Sequence, residues 1–200
     1  MTRSFFNQRA AIWDGAVAER DEAKLALMAA RLNIEPGDTV LDVGTGTGIF
    51  LPFLLGRVGS RGRIFALDIA ENMLQKARAK GFVGNIGYLN ADVAYIPFSD
   101  GFFDSVVCYS SFPHFQDKGE ALVEINRVTK GGGYLFICHT LSRKSINEIH
   151  RGISELVNDL IPDEDEMRAM LSKAGFNDIR IEDGSENYLC QARKKMLKLA

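Results

Sequence analysis

The chain has 200 residues, 46% hydrophobic and 25% charged, a globular balance sized for one domain with a substantial core. A formal net charge of -2 excludes a global basic field for nucleic acid, and the most basic stretch, Arg193 to Lys195 with Lys198, reads as a solvated tail. No apolar run approaches the roughly 18 residues of a membrane span, the opening MTRSFFNQRAAIWDG lacks the apolar core of a signal peptide, and three widely spaced cysteines argue against a disulfide framework or a metal site; a cytoplasmic protein without a bound metal is expected. Helix-forming composition over Asp14 to Leu32 predicts a helix packed ahead of the first strand. Strands are predicted at Val40 to Val43, Arg63 to Leu67, Ile86 to Leu89, Phe103 to Tyr109 and Tyr134 to Cys138. Between them come helices at Ile49 to Val58, Glu71 to Lys80 and Gly119 to Thr129. Cys108 and Cys138 fall inside apolar strands and read as buried thiols. After Leu141 a helical excursion is expected, then a helix opened by Pro162 and the acidic run Asp163 to Glu166 and closed by Gly175. Phe176 to Ile181 and Asn187 to Gln191 read as a final hairpin.

Strands that alternate with helices pair in parallel, because each crossover needs a helix to return the chain. Near-continuous apolar strands such as SVVCY and YLFIC suit a sheet covered on both faces. A doubly wound α/β fold follows, and such sheets bind ligands outside the carboxyl ends of their strands.

The sharpest motif is VLDVGTGTGIF, Val40 to Phe50: a strand running into Gly44, Gly46 and Gly48 and then a helix. Glycines let the backbone turn sharply and approach a ligand closely. A dinucleotide fingerprint would need a small residue where Ile49 stands, and no Gly-Lys-Ser/Thr follows for a P-loop. Asp42, inside the strand end, would repel a pyrophosphate and welcome an ammonium or sulfonium. Asp68 ends the second strand, where a carboxylate can accept from ribose hydroxyls. Asp92 follows the third and could accept from an adenine amino group. Three carboxylates at adjacent strand ends suit a ligand with ammonium, ribose and adenine in a row, although each alone would pass for a turn or cap residue.

With these residues the chain resembles class I S-adenosylmethionine methyltransferases, in the group that includes the ubiquinone/menaquinone C-methyltransferases. The motifs are LDVGTGTG at Leu41 to Gly48, ALDIAENML at Ala66 to Leu74, NADVAYIPF at Asn90 to Phe98, FDSVVCYSSFPHF at Phe103 to Phe115 and EINRVTKGGGYLFI at Glu124 to Ile137. Gly131 departs from the proline usual before the Gly-Gly turn. The resemblance implies a seven-stranded, mostly parallel sheet with helices on both faces and an antiparallel last strand. It implies S-adenosylmethionine as methyl donor. Asp42, Gly44, Thr45 and Gly46 would then meet the methionine end, Asp68 the ribose, and Ile69 and Met73 the adenine face. Asp92 and Val93 would meet the adenine edge, with Ser110 beside the methyl group. Phe5, Phe6 and Trp13 resemble an N-terminal aromatic segment that folds over the donor, with a staple to the core as the plainer reading.

The acceptor pocket is expected among the fourth-strand loop, the fifth-strand end, the excursion and the N-terminal segment. Phe5, Trp13, Phe112, His139 and His150 are its expected lining, and His114 in SSFPHF is the expected base. One domain over residues 1–200 is anticipated, with an N-terminal cap at 1–35 and a helical lid at 142–161. The partner is a small-molecule methyl acceptor, with no nucleic acid and no membrane span, and a homodimer left open. Two other classes stand beside this: a nicotinamide-dependent oxidoreductase, disfavoured by Ile49 and Asp42, and a non-catalytic binder of the same donor.

Overall fold

The structure is a computed structural model that describes residues 2–16 and 21–196. Seven strands form one sheet: β1 (Thr39–Val43), β2 (Arg63–Asp68), β3 (Ile86–Asn90), β4 (Phe103–Tyr109), β5 (Thr129–His139), β6 (Phe176–Asp183) and β7 (Tyr188–Lys194). They lie in the order β3-β2-β1-β4-β5-β7-β6. The first five pair in parallel, and β7 is antiparallel to both β5 and β6. The chain builds outward from β1 through β2 to β3, then crosses back to place β4 on the other side of β1. That reversal opens a crevice at the carboxyl ends of β1 and β4, where ligands of such sheets bind.

Alternation along the strands fills both faces. Leu41, Val43, Val106, Cys108, Leu135 and Ile137 belong to one buried cluster, and Val40, Val107, Phe136 and Cys138 to another. Helices α6 (Lys118–Val128) and α8 (Glu164–Lys173) cover the first through Leu122, Ile125, Met167 and Leu171. Helices α3 (Glu22–Arg31) and α4 (Leu51–Val58) cover the second through Leu25, Met28, Leu51 and Leu54. Two short N-terminal helices, α1 (Thr2–Arg9) and α2 (Trp13–Ala16), lie beside α5 (Glu71–Ala79); α7 (Arg143–Arg151) follows β5.

Several boundaries differ from the sequence reading, each for a local reason. The helix expected from Asp14 begins at Glu22, because Asp21 caps it by accepting from the Ala23 and Lys24 amides; Trp13–Ala16 is a separate turn, and residues 17–20 lie outside the described residues. The helix after the glycine loop starts at Leu51, with Pro52 in its first turn. Pro162 stands two residues before the first helical residue of α8, whose cap is Asp163 accepting from the Glu166 amide at 2.9 Å. Strand β5 starts five residues before Tyr134, at Thr129, so the Gly131 region is strand with an irregular register against β4. Arg193 and Lys194 are no tail: they end β7, and Lys194 Nζ donates to the carbonyls of Asn126 (2.6 Å) and Thr129 (2.8 Å), neutralising the C-terminus of α6. Lys198 lies outside the described residues. Among the described residues no helix is long and apolar enough to cross a membrane.

Candidate active site

A cavity of about 460 Å³ opens at the crevice between β1 and β4. Its floor is main chain. The amides of Gly44 and Thr45 both donate to the Leu67 carbonyl, at 2.8 and 3.0 Å, and this turns the chain out of β1. Gly44 has φ +71°, and a Cβ there would overlap the Ser111 side chain, whose hydroxyl donates to the Val43 carbonyl at 2.6 Å. Only glycine meets both demands. Ser110, at the end of β4, takes φ +50°, a strained conformation for a residue with a side chain, and it stands on the cavity wall.

Three carboxylates occupy three strand ends. Asp68 accepts from the Gly46 amide at 2.8 Å and the Ala70 amide at 2.7 Å, and so ties the glycine loop to the start of α5. Burial pushes its carboxyl up to about 6 despite these bonds. Asp42 is 1% exposed, its Oδ2 has no partner among the described residues, and burial with the nearby Asp68 pushes it up to about 7. Asp92 accepts from the Ala94 amide at 3.0 Å. Ile69, Met73 and Val93 supply apolar wall between the acids. The site fits S-adenosylmethionine: a buried carboxylate behind the floor with one oxygen unpartnered, able to meet an ammonium, an open main-chain floor, and two further carboxylates with apolar slots for a nucleoside.

The family model described as a methyltransferase domain matches residues 41–137. The ubiquinone/menaquinone biosynthesis C-methyltransferase UbiE of Teredinibacter turnerae is 30% identical over 174 residues, 74% of this chain and 70% of that protein. Its counterpart in Haemophilus ducreyi is 31% identical over 173 residues, 73% and 67%. The chain belongs to the class I S-adenosylmethionine-dependent methyltransferases, in their ubiquinone/menaquinone C-methyltransferase-like group. A SAM-dependent methyltransferase from Aquifex aeolicus is 28% identical with a TM-score of 0.71, over 87% of this chain and 94% of that one. The methyltransferase solved with the Haloferax volcanii Trm112 activator is 25% identical with a TM-score of 0.81, over all of both chains.

In this methyltransferase the cavity wall includes Gly44, Thr45, Gly46, Asp68, Ile69, Met73, Asp92, Val93, Ser110, His114 and Trp13 of the residues singled out in sequence. Asp42 lies behind the wall. Phe5, Phe112, His139 and His150 do not line the cavity: each is buried, Phe112 completely, in packing around it. Phe112 sits in the 3₁₀ turn Phe112–His114, whose alternation sends the phenylalanine to the core and the histidine to the cavity. The aromatic wall comes from Phe6 of the expected N-terminal aromatic segment, whose ring meets Trp13 edge-on at 5.2 Å and His114 at 4.9 Å, and from Tyr109, whose hydroxyl lies 3.0 Å from Thr140 Oγ1. Thr47, Tyr109, Ser111, Phe115 and Glu120, to which the sequence alone assigned no role, also face the cavity. Tyr109 was findable as the last residue of an apolar strand; Glu120 had no local signal. His114 is bonded through Nδ1 to Asp159 Oδ2 at 2.8 Å.

Proposed function

We propose that this methyltransferase moves the methyl group of S-adenosylmethionine onto a small, largely apolar acceptor bound in the same cavity. The observation that supports it most is one cavity whose lining joins acids and a glycine floor to the rings of Phe6, Trp13, Tyr109 and Phe115, with Phe6 and Trp13 packed on Met73 and Phe6 also reaching His114. Asp42, Gly44, Thr45 and Gly46 take the methionine end in this reading. Asp68 takes the ribose, Ile69 and Met73 the adenine face, and Asp92 and Val93 its edge, with Ser110 beside the transferred methyl. The donor is an activated sulfonium, so the protein aligns the two partners in line and excludes water. His114 is the base, where the acceptor has a proton to lose.

The relatives' names describe C-methylation in ubiquinone and menaquinone biosynthesis, which makes ring-bearing acceptors the first to try. One catalytic domain, with a cap at 1–35 and a lid at 142–161, is part of the proposal. Helix α1 bridges the cavity through Arg3 to Glu71 at 2.9 Å and Arg9 to Glu155 at 3.1 Å. These exposed pairs are weak, so the cap is the part expected to open. Cytoplasmic residence is supported by three cysteines that are buried and form no disulfide. Production of S-adenosylhomocysteine across a panel of quinols, phenols, amines and thiols tests the assignment. Turnover confined to large macromolecular acceptors would sink it.

A further inference from the structure

The lid from 142 to 161 is laced by hydrogen bonds. Ser142 caps α7 by accepting from the Ser145 amide, and Asn147 clasps Ile161 in both directions, its Nδ2 donating to the Ile161 carbonyl at 3.0 Å and its Oδ1 accepting the Ile161 amide at 2.9 Å. His150 Nδ1 donates to the Asp159 carbonyl, and the Asp159 amide donates to the Leu156 carbonyl at 2.8 Å. The backbone at Asp159 and at Ile161 is therefore held by two buried side chains, and the Leu156 carbonyl holds the turn before them. All of this delivers one carboxylate to one imidazole: Asp159 Oδ2 to His114 Nδ1 at 2.8 Å, with the His150 ring packed 4.8 Å from His114 on one side and Phe6 at 4.9 Å on another.

We propose that Asp159 is a positioning residue that sets the tautomer of His114, making Nε2 the proton acceptor for a neutral methyl acceptor that enters the site still protonated. This deepens the function proposed above and rests on it for the acceptor. A carboxylate can only accept, so the proton between the two groups sits on Nδ1 and the lone pair of a neutral ring is on Nε2. Nε2 has no hydrogen-bond partner among the described residues, and the ring stands on the cavity wall. Burial lowers the His114 pKa, opposed by the Asp159 bond and charge and assisted by His150 and His139, which favours the neutral ring. The other charged groups around the site are Asp117 at the N-cap of α6, Lys118 and Glu120 within α6, and Arg3 of α1. In the reaction the acceptor atom bonds to the methyl carbon while the carbon–sulfur bond breaks and its pair stays on sulfur. The acceptor's proton passes to Nε2. The imidazolium formed is held by Asp159 until the proton leaves to solvent. An acceptor already anionic, such as a thiolate or carboxylate, would gain nothing from this pair.

Two measurements decide it. Long-range ¹⁵N–¹H spectra of the S-adenosylhomocysteine complex at pH 7.5 should show His114 protonated at Nδ1, and Asp159→Asn should move that proton to Nε2, since the carboxamide can donate to Nδ1. With a turned-over acceptor, Asp159→Asn should lower kcat on the order of 10²-fold with KM for the methyl donor unchanged, and Asp159→Glu should restore part of it. Wild-type kcat and an unchanged pH profile in Asp159→Asn would overturn the proposal, as would His114 protonated at Nε2 in the wild type. If Asp159→Asn fails to fold, the wild-type tautomer and the Asp159→Glu profile still decide. If no small acceptor turns over, the function proposed above fails while the tautomer still tests the pair.

Discussion

The two parts of the cavity, the donor half and the acceptor half of the function proposed above, are built by different means. The donor half rests on three consecutive parallel strands and the turns that leave them: Gly44, Asp68 and Asp92 stand at the ends of β1, β2 and β3 or just past them, and main-chain amides hold the acids in place. The acceptor half is assembled from side chains of α1, α2, the end of β4, the 3₁₀ turn and the 152–161 segment, joined by ring contacts and hydrogen bonds over long sequence separations. A main-chain floor tolerates few changes and recurs wherever a donor recurs; a wall of side chains from separate segments can be exchanged piecemeal, which is how one fold serves many acceptors.

Substitutions that strike each half sharpen the contrast. The largest effect is expected from Gly44→Ala, because the new Cβ meets Ser111 at a φ that disfavours any side chain. Strain and overlap should together cost roughly 2–4 kcal/mol of stability, read by urea unfolding, and donor binding should be lost in the folded fraction. Near-normal unfolding would break the claim that the floor is rigid.

Next comes Asp68→Asn. The carboxamide leaves one of the Gly46 and Ala70 amides facing an N–H₂ group, so donor affinity should fall by about 1.5–3 kcal/mol and the melting temperature should fall with it. Calorimetry alongside a thermal melt separates the two losses. A weakened donor with an unshifted melt would mean that Asp68 serves the ligand alone.

The pH response follows from the raised carboxyls of Asp42 and Asp68. Between an unfolded value near 4 and folded values of about 7 and 6, the native protein holds more protons than the unfolded chain. The contribution of these groups to stability therefore declines as pH rises from 4 to 7 in the ligand-free protein. A cationic donor demands the ionised forms, so its affinity should rise between pH 6 and 8 by at most about tenfold per unit for each group, with protons released on binding. Calorimetry in buffers of different ionisation enthalpy counts them; proton uptake would reverse the assignment.

The smallest effect belongs to the acceptor half. Arg9→Ala removes one exposed ion pair to Glu155 and should change stability by less than about 1 kcal/mol. Amide hydrogen exchange in α1 should nevertheless quicken, and the protection gained on binding donor and acceptor should shrink. Equal exchange in both proteins would make the cap a fixed part of the wall.

The donor half was legible without coordinates because its signals are local. Glycines beside an acid at a strand end, an acid at the next strand end and another after the third all fall within the stretch from Asp42 to Asp92, and their positions follow from strand alternation alone. The order of strands was legible for the same reason, since hydrophobic runs and turn residues mark each element. Helix starts were misread where a capping side chain, Asp21 or Asp163, outweighed composition or a nearby proline.

The acceptor half was legible only in outline. The three histidines were placed near one another, yet only His114 lines the cavity; His139 is buried at the end of β5 and His150 backs His114 from α7. Nothing in sequence distinguishes these roles, because whether a residue faces a cavity or a core depends on the rotation of its helix and the packing of its neighbours. Asp159 shows the limit most clearly. It lies 45 residues from His114, in turns beyond the end of α7 where the near-helical spacing of the sequence suggested more helix, and joins the site only because Asn147, Ile161 and His150 hold its backbone in place. Local backbone chemistry determined the sheet, the glycine floor and the donor-side acids. Long-range packing decided which side chains meet across the cavity, since such meetings depend on the closure of the whole fold and leave no pattern in neighbouring residues.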